Sequence, residues 1–183
     1  MAATAVGHGW MAAEGCYGPP VRSDGVLLRD ATAEDVPALT AALFQAVNWN
    51  STVRFALPDI LANPQLAHYV SGWPRPGDFG IVAVADSAPV GAAWCRTFLA
   101  DDPGYGFVAD DVPEASIGVA PAWRGHGIGT ALLDELIARA RANGLRAISL
   151  SVESGNRARA LYERAGFRVV RRVADSDVMV LEL

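Results

Sequence analysis

Seven residues, Arg124-Gly125-His126-Gly127-Ile128-Gly129-Thr130, set three alternating glycines beside an arginine and directly before an apolar run. A strand pattern, EASIGVA over 114–120, leads into them. A helix pattern from about 127 to 142 follows, with Leu132, Leu133, Leu136, Ile137 and Ala140 spaced along one buried face. The first N–H groups of a helix have no intrahelical partner, point outward and carry a partial positive charge. Phosphate or pyrophosphate is the natural guest of such a terminus. Gly125, Gly127 and Gly129 leave no Cβ between those groups and an approaching oxygen. Arg124 adds a charge that neutralises an anion or is simply solvated. The alternative for the whole stretch is a glycine-softened corner that holds nothing.

Two well-known phosphate motifs do not fit. A dinucleotide fingerprint needs G-x-G-x-x-G on the first strand–helix turn, whereas these glycines read G-x-G-x-G late in the chain. A phosphate loop of the nucleoside-triphosphatase kind needs G-K-[ST], and the chain has no lysine. A second helix, GNRARALYERAG over 155–166, follows the next strand and carries Asn156 at its start and Tyr162 within it. If the two strands are sheet neighbours, both helix N-termini open at one edge, where Asn156 and the glycine loop can hold one extended ligand.

The elements that must position these residues are readable in outline. GVLLRDAT (25–32) is a strand running into a cap, with Thr32 and Asp35 as a capping box before a helix striped by Val36, Leu39, Ala42, Leu43 and Val47. Residues 48–79 are irregular and aromatic, with a helix or two broken at Pro64. Strands are expected at 79–86 and 89–99 around a DSAP turn, and an acidic loop at 100–113. Asn143-Gly144 ends the glycine-loop helix, a strand occupies 145–153, and strands at 167–174 and 177–183 close the chain. Strand and helix alternate through the second half, so a mixed sheet flanked by helices follows.

Bulk composition narrows the function classes. With 183 residues, 51% hydrophobic and 19% charged, the chain is expected to fold as one globular domain over 25–183. Residues 1–24, rich in Gly, Ala and Pro, are expected to be a flexible extension without a signal or anchor pattern. A formal net charge of −5 argues against nucleic acid or a membrane surface as partner. His8 is isolated, and Cys16 and Cys95 have no metal or redox spacing, so no metal is expected and a reduced, cytoplasmic setting is the default.

These motifs together resemble the GCN5-related N-acetyltransferase (GNAT) superfamily. Arg124, Gly127 and Gly129 meet its R/Q-x-x-G-x-G/A signature after the strand SIGVAP. Asn156, Leu161, Tyr162, Glu163, Gly166 and Phe167 meet its N…LYE…GF signature. The start, LLRDATAEDVPAL, also matches, and the resemblance covers about residues 25–183. It implies an α/β (α+β) fold: a mixed, mostly antiparallel twisted sheet of about six to seven strands flanked by about four helices. It implies acetyl-CoA as cosubstrate, with residues 124–130 cradling the pyrophosphate. Ile117, Gly118 and Val119 would pair with the pantetheine arm, an N–H near Val119 would polarise the thioester carbonyl, and Asn156 would contact pantetheine or its thiol end. The implied reaction is direct acetyl transfer, in a ternary complex, to a primary amine of a small molecule or peptide.

In that reaction Tyr162 is the implied acid for the departing thiolate; otherwise it is a core aromatic. Glu114 is the nearest candidate base, with Glu153, a relayed water or no base as alternatives. The acceptor side falls to residues 48–79 and 100–113. Trp49, Phe55, His68, Tyr69 and Trp73 with Asp101, Asp102, Asp110 and Asp111 form either an aromatic wall with an acidic rim suited to a cationic amine, or a packed cluster with solvated charges. Relatives often dimerise through their last strands, so a homodimer is expected. Competing readings are an acyl-CoA-binding sensor or scaffold without turnover, and a nucleotide-binding domain.

Overall fold

Two short segments, Val21–Ser23 (β1) and Val26–Asp30 (β2), pair as an antiparallel hairpin. The computed structural model of the protein describes residues 21–23, 25–50 and 52–183. The flexible extension expected over 1–24 lies outside these residues apart from Val21–Ser23, which form a strand; His8 and Cys16 lie outside them too. After β2, Asp35 Oδ2 accepts the Thr32 N–H at 2.8 Å and Thr32 Oγ1 accepts the Glu34 N–H at 3.3 Å, the expected capping box. Arg29 grips the same Asp35 carboxylate with two bonds of 2.7 Å and holds it well below the usual carboxylate range, at about 2. The cap opens a short 3₁₀ turn that runs into α1 (Val36–Val47).

Pro64 breaks the next helical segment as expected, separating α2 (Leu57–Ala62) from α3 (Pro64–Ala67). Asp86 and Ser87, both at positive φ, make the two-residue turn between β3 (Phe79–Ala85) and β4 (Ala88–Arg96). Then come β5 (Glu114–Val119), α4 (Ile128–Ala142), β6 (Ala147–Glu153), α5 (Ala158–Ala165), β7 (Arg168–Val173) and β8 (Ser176–Glu182). Gly144, at φ 69°, ends α4: its N–H bonds to Arg141 O and that of Leu145 bonds to Ala140 O.

The strands form one sheet in the order β1-β2-β3-β4-β5-β6-β8-β7. Every neighbouring pair is antiparallel except β5 and β6. This is the expected architecture with one strand more, because β1 folds back on β2. Helix α4 covers one face with Ile128, Leu132, Leu133, Leu136, Ile137 and Ala140 buried. Helix α1 covers the other with Ala38, Leu39, Ala42 and Leu43, joined by Tyr69, Trp73 and Trp94. Buried on both faces, β3 and β4 read as near-continuous apolar runs.

Arg96 is fully buried on β4. It pairs with Asp78 at 2.5 Å and donates to the carbonyls of His68 at 2.6 Å and Ser71 at 2.9 Å, pinning residues 68–78 to the sheet. Apart from the His68–Asp102 contact, every ion pair found among the described residues takes its cation from arginine.

Candidate active site

The sheet splits in its middle. The register of β5 with β6 consists of one pair, Glu114↔Ser149, while β5 pairs with β4 along its whole length from Arg96↔Glu114 to Gly91↔Val119. Beyond Glu114 the two parallel strands therefore separate. The Ala120 N–H donates to Val90 O at 2.9 Å, which sets the alternation on β5. Gly118 and Ser116 turn their backbone groups to β4, and Ile117 and Val119 turn theirs toward the split. Gly118 does different work from that expected: it offers no backbone group to the split. A Cβ there would collide with the Ala42 carbonyl, so its bareness lets α1 close on the strand.

At the open end of the split stands the glycine loop. Gly125 and Gly127 have φ of 81° and 79°, which only glycine adopts without strain, and a Cβ on either would meet nothing within 4 Å. Gly127 is the N-cap of α4 and no side chain caps the helix. The first intrahelical bond runs from Ala131 N–H to Gly127 O, so the N–H groups of Ile128, Gly129 and Thr130 are the outward-facing donors. A Cβ on Gly129 would stand 3.7 Å from Leu161 and 3.9 Å from Val119, which places the loop, β5 and α5 together as the sequence suggested. Uncapped donors, open space where two Cβ atoms would stand, and a free strand edge leading to them fit a pyrophosphate continued by an amide-bearing arm.

The neighbours of the loop divide into anchors and ligand-facing groups. Arg124 spends its guanidinium on the protein, donating to Val119 O at 3.1 Å, Gln45 Oε1 at 3.0 Å and Trp49 O at 3.3 Å. It ties the loop to the end of α1. His126 is exposed, with Nδ1 3.1 Å from Arg124 O. Asn156 Oδ1 accepts from Ala158 N–H at 2.9 Å at the start of α5. Tyr162 is 7% exposed and packs against Phe167; burial pushes its hydroxyl above the ordinary phenol value.

On the α1 face of the same split, Glu114 is buried at the point where β5 and β6 meet. The β4–β5 register runs without a bulge, so Glu114 keeps the face given by alternation. Tyr69 donates to its Oε1 at 2.7 Å, and the Tyr69 oxygen in turn accepts from Tyr105 N–H at 2.8 Å. Glu114 Oε2 and Ser149 Oγ, on the paired residues, are buried without a hydrogen-bond partner among the described residues. Burial pushes the Glu114 carboxyl up to about 7, against the pull of the Tyr69 hydroxyl and the Gly106 N–H. Gly104 and Gly106 let the 100–113 loop lie on Glu114; a Cβ on Gly106 would come within 2.9 Å of Glu114 Cδ and 2.8 Å of Ser151 N.

The remaining sequence candidates sit nearby in mixed roles. Glu153 bonds to Trp49 Nε1 at 2.6 Å and Arg54 at 3.0 Å, an anchor at the rim. Trp73 is core, donating to Thr32 O at 3.0 Å. His68 Nδ1 lies 3.0 Å from Asp102, and Asp111 pairs with Arg146 at 2.6 Å at the surface. A groove of about 300 Å³ lined by Arg75, Thr97, Phe98, Leu99, Asp101 and Asp102 runs beside that histidine pair. Sequence reasoning placed Tyr69 in the acceptor wall and missed its bond to Glu114, 45 residues away. It missed Gln45 as a partner of Arg124 for the same reason.

Comparison with known proteins agrees with this geometry. Residues 45–167 match the acetyltransferase (GNAT) family. The chain is 33% identical over 146 residues to an L-methionine sulfoximine/L-methionine sulfone acetyltransferase of Pseudomonas paraeruginosa, covering 78% of this chain and 80% of that protein. A ribosomal-protein-alanine N-acetyltransferase from Brucella melitensis superposes with a TM-score of 0.61 at 31% identity, over 86% of this chain and 99% of that one. A GNAT superfamily phosphinothricin acetyltransferase from Sinorhizobium meliloti, solved with acetyl-CoA, gives 0.63 at 26% identity over 87% and 89%. Split sheet, glycine loop and both sequence signatures fall within the matched residues, and the chain belongs to the GNAT family of acetyltransferases.

Proposed function

We propose that the protein transfers acetyl from acetyl-CoA directly to a primary amine of a small molecule or peptide. The observation that carries this is the β5 edge, opened beyond Glu114, running straight into the uncapped N-terminus of α4. Acetyl-CoA supplies the thioester whose carbonyl carbon the amine attacks. Ile128, Gly129 and Thr130 N–H groups, across Gly125, His126 and Gly127, hold the pyrophosphate. Backbone groups of Ile117 and Val119 align the pantetheine, with Asn156 at the α5 side of the split and Arg124 fixing the loop. The Val119 N–H donates to the carbonyl oxygen as negative charge develops there. Glu114 takes a proton from the acceptor's ammonium, whose ordinary pKa of about 8 for a peptide α-amine, and higher for other primary amines, leaves mostly ammonium at neutral pH, and the neutral amine then attacks. Tyr162, kept protonated by burial, hands its proton to the departing thiolate and regains one from the nitrogen as the amide forms.

L-methionine sulfone and an alanine-initiated peptide are the first acceptors to try, because relatives named for such substrates resemble this chain. Thiol release from acetyl-CoA with either one supports the reading. Binding of acetyl-CoA without thiol release across an amine panel favours a sensor instead. A homodimer belongs to the same proposal: all six residues of β7 are exposed, with Val169, Val170 and Val173 among them, and an outer strand is where a second copy adds. Sedimentation of the wild type and of Val170→Asp checks this, a dimer lost in the variant being the expected outcome. No described helix is long and apolar enough to cross a membrane. Cytoplasmic residence, with acetyl-CoA at hand, completes the proposal.

A further inference from the structure

Glu114 is held by a residue that no local motif joins to it. Tyr69 follows α3 and is 5% exposed. Its oxygen accepts the Tyr105 N–H at 2.8 Å, which leaves its proton one buried destination, Glu114 Oε1 at 2.7 Å. The other carboxylate oxygen, Oε2, has no hydrogen-bond partner among the described residues. Oε2 is buried beneath the 100–113 loop, where a Cβ on Gly104 would collide with it, so the carboxylate is held in one orientation.

We propose that Tyr69 is a positioning residue for acetyl transfer: its hydroxyl fixes Glu114 through Oε1 and favours the ionised carboxylate that takes the amine proton. This rests on the reading of Glu114 as base. Around the carboxylate the Gly106 N–H also draws on it, Ser149 Oγ and His68 Nε2 are buried without a hydrogen-bond partner among the described residues, and the remaining groups are spoken for or lie elsewhere. Arg96, its cross-strand neighbour, is bound to Asp78, His68 O and Ser71 O. His68 pairs with Asp102 on the covering loop. Ser149 faces it from β6, and Cys95, its thiol pushed up by burial, belongs to the core on the opposite face of the sheet. Among these charged and titratable neighbours, Tyr69 is the one that donates a side-chain hydrogen bond to Glu114.

The test follows the Glu114 carboxyl carbon by ¹³C NMR in glutamate-labelled protein, assigned with Glu114→Gln, beside pH profiles of kcat/KM with L-methionine sulfone. Tyr69→Phe is expected to raise the Glu114 midpoint by about one pH unit. The acid limb of kcat/KM moves with it, lowering activity at pH 7 about fivefold. Tyr105→Phe keeps the backbone donor and leaves the midpoint in place. Should Tyr69→Phe fold poorly, 3-fluorotyrosine at position 69 preserves both bonds, acidifies the phenol and moves the midpoint down. A midpoint unmoved by either change overturns the positioning role. A midpoint that moves while Glu114→Gln keeps full activity and its acid limb shows that the base assignment has failed, and the catalytic role of Tyr69 falls with it.

Discussion

Burial raises the Glu114 carboxyl to about 7, and this fixes the sign of two pH dependences. As the proposed base it must be ionised, so kcat/KM is expected to climb with pH through about 7, and Glu114→Gln to lower it about a hundredfold or more and erase that limb. Stability runs the other way. The folded carboxyl binds its proton more tightly than the unfolded one, so its contribution is fully present below about 4.5 and is lost as pH rises through about 7. At pH 8, Glu114→Gln should melt higher than wild type, by up to about 3 kcal/mol in chemical denaturation. Tyr162→Phe, in contrast, is expected to slow turnover about a hundredfold while leaving acetyl-CoA affinity unchanged in calorimetry. Glu114 and Tyr162 could be singled out as candidates because each stands in or beside a motif. The Tyr69 bond was not, because a contact across 45 residues leaves no trace in spacing.

The glycines separate by element into three kinds, and each kind predicts a different mutant. Gly127 needs its positive φ but has open space around it. Gly127→Ala should cost about 1 kcal/mol in denaturant unfolding yet weaken acetyl-CoA tenfold or more. Gly129 has ordinary backbone and ordinary contacts, so Gly129→Ala should leave the free chain as stable or slightly more so; any loss of affinity then belongs to the ligand. Gly118 faces the Ala42 backbone, and Gly118→Ala should destabilise by about 3 kcal/mol as α1 is forced off β5. From the sequence all three look alike as part of one strand–loop–helix run. Helix starts and stops were read well, since Thr32, Pro64, Asn143-Gly144 and Gly166 act locally. Hidden in the same text was the hairpin made by Val21–Ser23, whose residues carry no strand pattern strong enough to stand out from a Gly- and Pro-rich stretch.

At the scale of the whole molecule, one strand pair joins β1–β5 to β6, β8 and β7, so a ligand lying along the split links two halves of the sheet. Acetyl-CoA and CoA at about 100 times their dissociation constants should each add about 2.7 kcal/mol to the melt, and ATP and NAD should add nothing. The strand order was beyond the sequence, because β8 enters between β6 and β7 through pairings set by the whole sheet. All 15 Lys-or-Arg residues of the chain are arginine. Guanidinium stays protonated and is no nucleophile at neutral pH, whereas a lysine ε-amine is the kind of group an acetyltransferase modifies. A catalyst built to acylate amines thus carries no side-chain amine of its own, and its ion pairs cannot be unmade by the product of its own reaction.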